Sequence, residues 1–154
     1  MREEWMREAL RLAVESVTAG GGPFGAVVVC GGQIVGRGHN RVTLDNDPTA
    51  HAEVVAIRDA CRRLDNFELS GCELYTSCEP CPMCFSAIHW ARLERVWYAA
   101  SETDAADAGF DDEAIHYELC APSERRRMPA KRFAVEGHLR PFEAWAEKAD
   151  KTPY

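Results

Sequence analysis

Two short clusters contain the residues of this sequence that are best suited to chemistry. His51 and Glu53 are separated by one residue, and Cys81 and Cys84 follow further along the chain, directly after Pro80. One imidazole and two thiolates can bind a zinc ion, which prefers a tetrahedron of nitrogen and sulfur donors. Three protein ligands leave the fourth position open to water, which is typical of catalytic zinc sites. The sequence therefore predicts a zinc cofactor held by His51, Cys81 and Cys84.

An acidic side chain stands beside the predicted zinc site. Glu53 follows His51 by two residues. Zinc can lower the pKa of bound water to about 7, and a nearby carboxylate can take the released proton and pass it to a leaving group. We therefore predict that Glu53 is the catalytic general base and acid.

The cysteines admit other interpretations. A Cys-x-x-Cys pair alone also fits a redox pair or half of a structural zinc site. Cys78 extends the pair to a triplet that resembles part of an iron–sulfur run, but Ile88 stands where the next cysteine would be. We interpret Cys78 as a small buried or pocket-lining residue. If Cys78 were a fourth ligand, the site would be closed, and the protein would be a structural zinc module for protein interaction.

Composition limits the partners and the location of the protein. The 154 residues predict a single domain over 1–154. The formal charge of −7 disfavours a polyanionic partner, so we expect a small substrate and no nucleic acid. We expect no membrane span and no signal peptide, and hence a cytoplasmic location. Seven cysteines, an odd number, indicate a reduced compartment rather than a disulfide framework.

Alternating strand and helix patterns surround the two clusters. Strands are predicted over 24–30, 33–39, 72–76, 95–100 and 132–135. Helices are predicted over 2–18, 49–64, 82–93, 104–119 with a break at Gly109, and 139–149. Such alternation predicts an α/β fold, a three-layer α/β/α sandwich around a mostly five-stranded mixed sheet. Both clusters then lie in opening helical turns, where the helix dipole lowers thiol pKa values.

The two motifs and their surroundings resemble a known family. His-x-Glu followed by Pro-Cys-x-x-Cys is the signature of the zinc deaminases that act on nucleobases. Over nearly its whole length the chain resembles the bacterial guanine deaminases of the cytidine-deaminase-like superfamily. The matching segments are 21–27, 46–53, 75–84, 103–112 and the C-terminal Tyr154. The resemblance implies a cytidine-deaminase-like fold and the zinc-dependent hydrolysis of guanine to xanthine and ammonia.

The resemblance also implies a set of substrate-binding residues. Phe24 corresponds to a phenylalanine that packs on the purine, and Asn40 to an asparagine that hydrogen-bonds the base. Asp112, or its neighbour Asp111, corresponds to an acid that reads the amino and ring N–H edge of guanine. Tyr154 corresponds to a C-terminal residue that closes the pocket, either that of its own subunit or that of the neighbouring subunit in a domain-swapped homodimer.

Other substrates fit the same zinc chemistry. Guanosine, or another free base or triazine such as cytosine or ammeline, would need only a different pocket. A tRNA adenosine deaminase shares the zinc motifs but must hold a polyanion, which the net charge disfavours. Adenine would leave a carboxylate acceptor unpaired, so an ionised acid in the pocket favours guanine.

Overall fold

A mixed four-stranded sheet is the centre of the fold in the computed structural model, which describes residues 2–154. The strands are β1 (Gly25–Cys30), β2 (Gln33–His39), β3 (Cys72–Cys78) and β4 (Arg95–Ala100). They lie in the order β2-β1-β3-β4. β1 is antiparallel to β2 and to β3, whereas β3 and β4 are parallel. The prediction of a mixed sheet is confirmed.

The predicted fifth strand is wrong. Residues 132–135 have no regular secondary structure, and the side chain of Phe133 is 90% exposed. So short a strand persists only when it pairs with a neighbour. Within residues 2–154 the sheet ends at β2 on one side and at β4 on the other, and neither edge strand pairs with this run.

Helices cover both faces of the sheet. The helices of the chain are α1 (Arg2–Thr18), α2 (Val42–Asp45), α3 (Ala52–Leu64), α4 (Pro82–Trp90), α5 (Glu102–Asp107), α6 (Glu113–Cys120) and α7 (Arg140–Glu147). α1 contacts β1 and β3, while α3 contacts β2, β1 and α4. None of the described helices is both long enough and apolar enough to cross a bilayer.

The central strand β1 is apolar on both faces, as a three-layer sandwich requires. Ala26 and Val28 belong to the core cluster that includes α3, whereas Val27 and Val29 pack with Leu12 of α1. Successive side chains of a strand point to opposite faces, so this alternation places one core on each side of β1. The predicted α/β/α layering is thereby confirmed.

Two glycines of β2 let the backbone of α3 lie directly on the strand. A Cβ atom at Gly38 would stand 2.3 Å from the carbonyl oxygen of Ala52, and one at Gly36 would stand 2.4 Å from that of Ala56. Real Cβ atoms do not approach so closely, so only glycine fits at these positions. The close packing fixes the first turn of α3, which follows His51.

One pair of cysteines forms a link that the sequence pattern did not predict. Cys30 at the end of β1 and Cys72 at the start of β3 form a disulfide, with their Cα atoms 4.4 Å apart. The two residues stand directly opposite each other in the antiparallel register. Adjacent antiparallel strands bring opposing Cα atoms this close, which is within the range of a disulfide.

The chain divides into two compact units, one ending at Tyr117 and the other covering Glu118–Tyr154. The second unit contains a short 3₁₀ helix (Ser123–Arg125) and α7. Its large apolar side chains Met128, Phe133 and Phe142 are exposed. A segment this short buries too little surface for a core of its own.

Candidate zinc centre and active site

The openings of two helices bring the predicted zinc ligands together. His51 is the N-cap residue of α3, and Cys81 is the N-cap residue of α4. Pro82 occupies the start of α4, where its missing N–H group costs nothing. Cys84 follows in the first turn of α4 and is fully buried. The predicted placement of both motifs in opening turns is confirmed.

The ligand atoms have the spacing of a tetrahedral zinc site. The Nδ1 atom of His51 lies 3.6 Å from the Sγ atom of Cys81 and 3.5 Å from that of Cys84. The three ligand atoms all lie within 4.8 Å of one another. Bond lengths to tetrahedral zinc place neighbouring nitrogen and sulfur ligands about 3.5 to 3.8 Å apart. The donor set and its spacing therefore fit a zinc ion.

Hydrogen bonds within the triad shift its pKa values. The hydrogen bond between the two thiol groups lowers the pKa of Cys81 to about 4, and the same bond raises the pKa of Cys84. The hydrogen bond with Cys81 raises the pKa of His51. Zinc needs both cysteines as thiolates and the histidine neutral, so the raised pKa values of Cys84 and His51 couple metal binding to proton release.

Glu53 lies against the triad in a buried position. Its side chain is 6% exposed, its Oε1 atom accepts a hydrogen bond of 3.4 Å from the Thr76 hydroxyl, and its Oε2 atom lies 3.4 Å from the Cys84 sulfur. Burial raises the pKa of Glu53, because the charged carboxylate loses its hydration. A carboxyl group with a raised pKa is suited to both accept and return a proton near neutral pH.

Cys78 stands apart from the ligand cluster. Its thiol donates a hydrogen bond of 3.6 Å to the backbone oxygen of Ser101. Burial raises the pKa of Cys78 to about 11, so this side chain remains a neutral thiol. It lines the cavity described below. These features agree with its interpretation as a pocket-lining residue.

A cavity of about 370 Å³ opens beside the triad and Glu53. Three of the four predicted substrate residues line it, namely Phe24, Asn40 and Asp112. The fourth, Tyr154, belongs to the second compact unit, where its ring makes an edge contact with Trp145. The volume is near the lower end of the range for ligand pockets, which suits a single small molecule.

Asn40 is held in one orientation by the surrounding backbone. Its Oδ1 atom accepts hydrogen bonds from the N–H groups of Gly22 at 3.3 Å and Val42 at 3.2 Å. Both contacts require the oxygen at this end of the amide. The NH₂ group is therefore the end that Asn40 offers to a ligand in the cavity.

The two candidate acids have different surroundings. The Oδ1 atom of Asp111 accepts a hydrogen bond of 2.9 Å from the N–H group of Glu113 and so supports the start of α6. The Oδ2 atom of Asp112 instead lies 3.5 Å from the Nε2 atom of His116. Phe110, just before them, packs edge-on against Phe24 with ring centroids 5.0 Å apart. The segment 110–112 thus forms a wall of the cavity.

Several cavity residues were not predicted from the sequence. Those with an ionisable or aromatic side chain are Glu79, Glu102, Phe110 and His116. His116 lies in α6, four residues after Asp112. Residues at this spacing lie on the same face of a helix, so the spacing itself was a usable signal.

Sequence comparison identifies the family. Residues 1–100 match the family described as the cytidine and deoxycytidylate deaminase zinc-binding region. The chain belongs to this family of zinc-binding deaminases, which confirms the predicted zinc cofactor. Its sequence is 54% identical to the guanine deaminase of Bacillus subtilis over 153 residues, a match that covers 99% of this chain and 98% of the relative. It is also 46% identical to the tRNA-specific adenosine deaminase of Aquifex aeolicus, over 64% of this chain and 66% of the relative.

Solved structures give the same result. The crystal structure of the Bacillus subtilis guanine deaminase covers 100% of this chain and 99% of its own, with a TM-score of 0.96 and 54% identity. A mutant of the protein NE0047 in complex with 8-azaguanine has a TM-score of 0.70 and 39% identity, covering 73% of this chain and 65% of its own. The predicted cytidine-deaminase-like fold is thereby confirmed.

Proposed function

We propose that this protein is a zinc-dependent aminohydrolase that converts guanine and water to xanthine and ammonia. One observation carries the proposal. The amide of Asn40 and the carboxylate of Asp112 line the same cavity as His51, Cys81 and Glu53. The cavity therefore combines a zinc site and a proton carrier with polar groups that can orient a base. The similarity to a guanine deaminase along the whole chain supports the same substrate.

The proposed reaction depends on proton transfer by Glu53. Zinc held by His51, Cys81 and Cys84 would supply acidified water, because it lowers the pKa of bound water to about 7. The Glu53 carboxylate accepts a proton from this water as the water oxygen joins the ring carbon that carries the amino group. Glu53 returns this first proton to a ring nitrogen. It then takes the second proton from the added hydroxyl group and passes it to the amino group, which leaves as ammonia as the carbon–nitrogen bond breaks. One water is consumed, and one ammonia is released.

Recognition of guanine is assigned to three side chains. The carboxylate of Asp112 accepts hydrogen bonds from N–H groups of the base, and the NH₂ group of Asn40 donates one. The ring of Phe24 provides an apolar surface for the purine. Charge-assisted hydrogen bonds are the stronger kind, so the pairing with Asp112 contributes most to orientation. Adenine would leave this acceptor without a donor and is disfavoured.

The charge of the cavity favours a free base over a nucleotide or an RNA. Its lining includes the acidic residues Glu53, Glu79, Glu102, Asp111 and Asp112, and no lysine or arginine among the described residues. Such a lining repels phosphate groups. The similarity to the tRNA-specific adenosine deaminase also covers only 64% of the chain.

We propose further that two copies form a homodimer in which residues 118–154 are exchanged. The exposed Phe133 and Phe142 of this segment support the proposal, because apolar side chains of this size are usually covered. In the exchanged dimer, Tyr154 would close the pocket of the partner, and the whole chain would act as one domain. Removal of 118–154 should then abolish dimer formation in light scattering. We also propose a cytoplasmic location, because five of the seven cysteines, including both that are predicted to bind zinc, are free thiols and only Cys30 and Cys72 form a disulfide.

The test of the function is ammonia release by the zinc-loaded protein. Guanine, guanosine, adenine, cytosine and ammeline are compared at equal concentration, and xanthine is identified as the second product. Turnover of guanine alone is expected. Turnover of guanosine or cytosine instead would leave the zinc chemistry intact and refute the assignment of the pocket. No turnover of any compound, with Cys78 found as a fourth zinc ligand, would favour the structural zinc module.

A further inference from the structure

His116 occupies a position between two acidic side chains on the wall of the cavity. Its Nε2 atom lies 3.5 Å from an oxygen of Asp112 and 3.5 Å from an oxygen of Glu102. We infer that His116 is a positioning residue that directs the carboxylate of Asp112 toward the substrate. The inference rests on the proposed function, in which Asp112 reads the N–H edge of guanine.

The elements that carry these three residues hold them at fixed places. Glu102 is the first residue of α5, where Ser101 and Asp104 form a capping box, and its N–H group donates a 3.2 Å hydrogen bond to the Glu79 carboxylate. The backbone oxygen of Asp112 accepts a hydrogen bond of 3.2 Å from the N–H group of His116. These hydrogen bonds hold the backbones of Glu102, Asp112 and His116 in place. They do not fix the side-chain torsion of Asp112, which depends on the contact with His116.

Electrostatics explains why an imidazole is needed there. Oxygens of Glu102 and Asp112 both lie within 4.8 Å of the His116 nitrogen and of each other. Two carboxylates this close repel each other, so without the imidazole between them the Asp112 side chain would turn away from Glu102. A carboxylate that has turned away no longer presents its oxygen atoms to the N–H edge of guanine.

Burial distinguishes the roles of the two acids. The side chain of Asp112 is 19% exposed, whereas that of Glu102 is 45% exposed. Asp112 is thus the acid on the inner side of the imidazole, and Glu102 contacts the imidazole from the outer side. His116 therefore restrains the carboxylate of Asp112, while Glu102, the other carboxylate beside the imidazole, remains near solvent.

A double-mutant cycle tests this inference. The variants are His116→Ala, His116→Gln, Asp112→Asn and the combination of His116→Ala with Asp112→Asn. Each zinc-loaded variant is assayed for kcat and KM with guanine, and for the dissociation constant of 8-azaguanine by calorimetry. Zinc content and melting temperature are measured for all variants. His89→Ala is the matched control, because His89 is an exposed histidine on α4 outside the cavity.

The expected result is a loss of binding that depends on Asp112. His116→Ala should raise KM and the 8-azaguanine dissociation constant roughly three- to tenfold, with a smaller change in kcat. Glutamine at this position, which keeps an N–H donor, should restore part of the loss. In the Asp112→Asn background, His116→Ala should cause no further loss, because residues that act through one contact are not additive.

Two results would overturn the inference. Equal losses from His116→Ala with and without Asp112→Asn would mean that His116 does not act through Asp112. Unchanged KM and 8-azaguanine binding in folded, zinc-loaded His116→Ala would mean that it does not position the acid at all. Failure of the parent protein to turn over guanine is a separate result, which refutes the proposed function itself.

Discussion

Replacement of Glu53 by glutamine should separate zinc binding from catalysis. The substitution keeps the size of the side chain and one oxygen that can accept a hydrogen bond from the Thr76 hydroxyl. In the parent protein, this hydroxyl lies 3.4 Å from the Oε1 atom of Glu53. The substitution places an amide N–H group near the Cys84 sulfur, which lies 3.4 Å from the present carboxylate. The ligand atoms of His51, Cys81 and Cys84 are not altered. Zinc content should therefore remain at the parental level.

The expected loss of activity is large. General acid–base catalysis contributes roughly 10²- to 10⁴-fold to the rate, and each factor of ten corresponds to about 1.4 kcal/mol of barrier. Glu53 is assigned both the acceptance and the return of the proton. Its side-chain partners cannot replace it, because the Thr76 hydroxyl is a poor base and the Cys84 thiolate would be bound to zinc. We therefore expect kcat to fall by roughly 10³-fold or more, which is about 4 kcal/mol. The melting temperature should not fall, since a neutral amide is easier to bury than a carboxylate.

The assay combines ammonia release from guanine with zinc determination after denaturation. Glu15→Gln is the matched control, because Glu15 is an exposed residue of α1 that pairs with Arg11. The control should retain parental activity and zinc. A zinc-loaded Glu53→Gln variant with activity within tenfold of the parent would refute the role of Glu53 as proton carrier. Loss of zinc together with activity would mean that Glu53 supports the metal site.

Three further predictions concern the metal site and the fold. Cys84→Ser should lose most bound zinc, whereas Cys78→Ser should keep it, as measured by metal analysis of the purified variants. Gly38→Ala should destabilise the protein by about 1–3 kcal/mol in urea unfolding, because its Cβ would overlap the Ala52 carbonyl. The hydrogen bond from Arg11 lowers the pKa of Glu8 from 4.5 to about 2. That contribution to stability is complete above pH 4.5 and is lost as the pH falls toward 2, so the difference in unfolding free energy between parent and Glu8→Gln should shrink over this range.

The zinc site was predictable because its information is local. His51 and Glu53 are close in sequence, as are Cys81 and Cys84, and each pair lies in the first turn of a helix. The ligand types and spacing follow directly from what zinc requires. Long-range packing had only to bring the two helix starts together, and the sheet order does this.

Features that depend on distant residues were not predictable in the same way. The Cys30–Cys72 pair requires the register of β1 against β3, which no local pattern specifies. The run 132–135 has the alternation of a strand, but a strand also needs a partner edge. The role of His116 depends on Glu102, which reaches it from another helix.

The acid proposed to read the base lies outside the part of the chain that carries the zinc chemistry. The match to the zinc-binding deaminase family spans residues 1–100, which contain every predicted zinc ligand and Glu53. Glu102, Asp112 and His116 come after this region and form another wall of the same cavity. Because no zinc ligand lies on α5 or α6, substitutions in this wall can change the base that is bound without disturbing the metal. Under the proposed function, substrate choice can therefore diverge while the hydrolytic step is kept. The zinc motifs define the reaction, and the proposed role of Asp112 and its neighbours is to select the base.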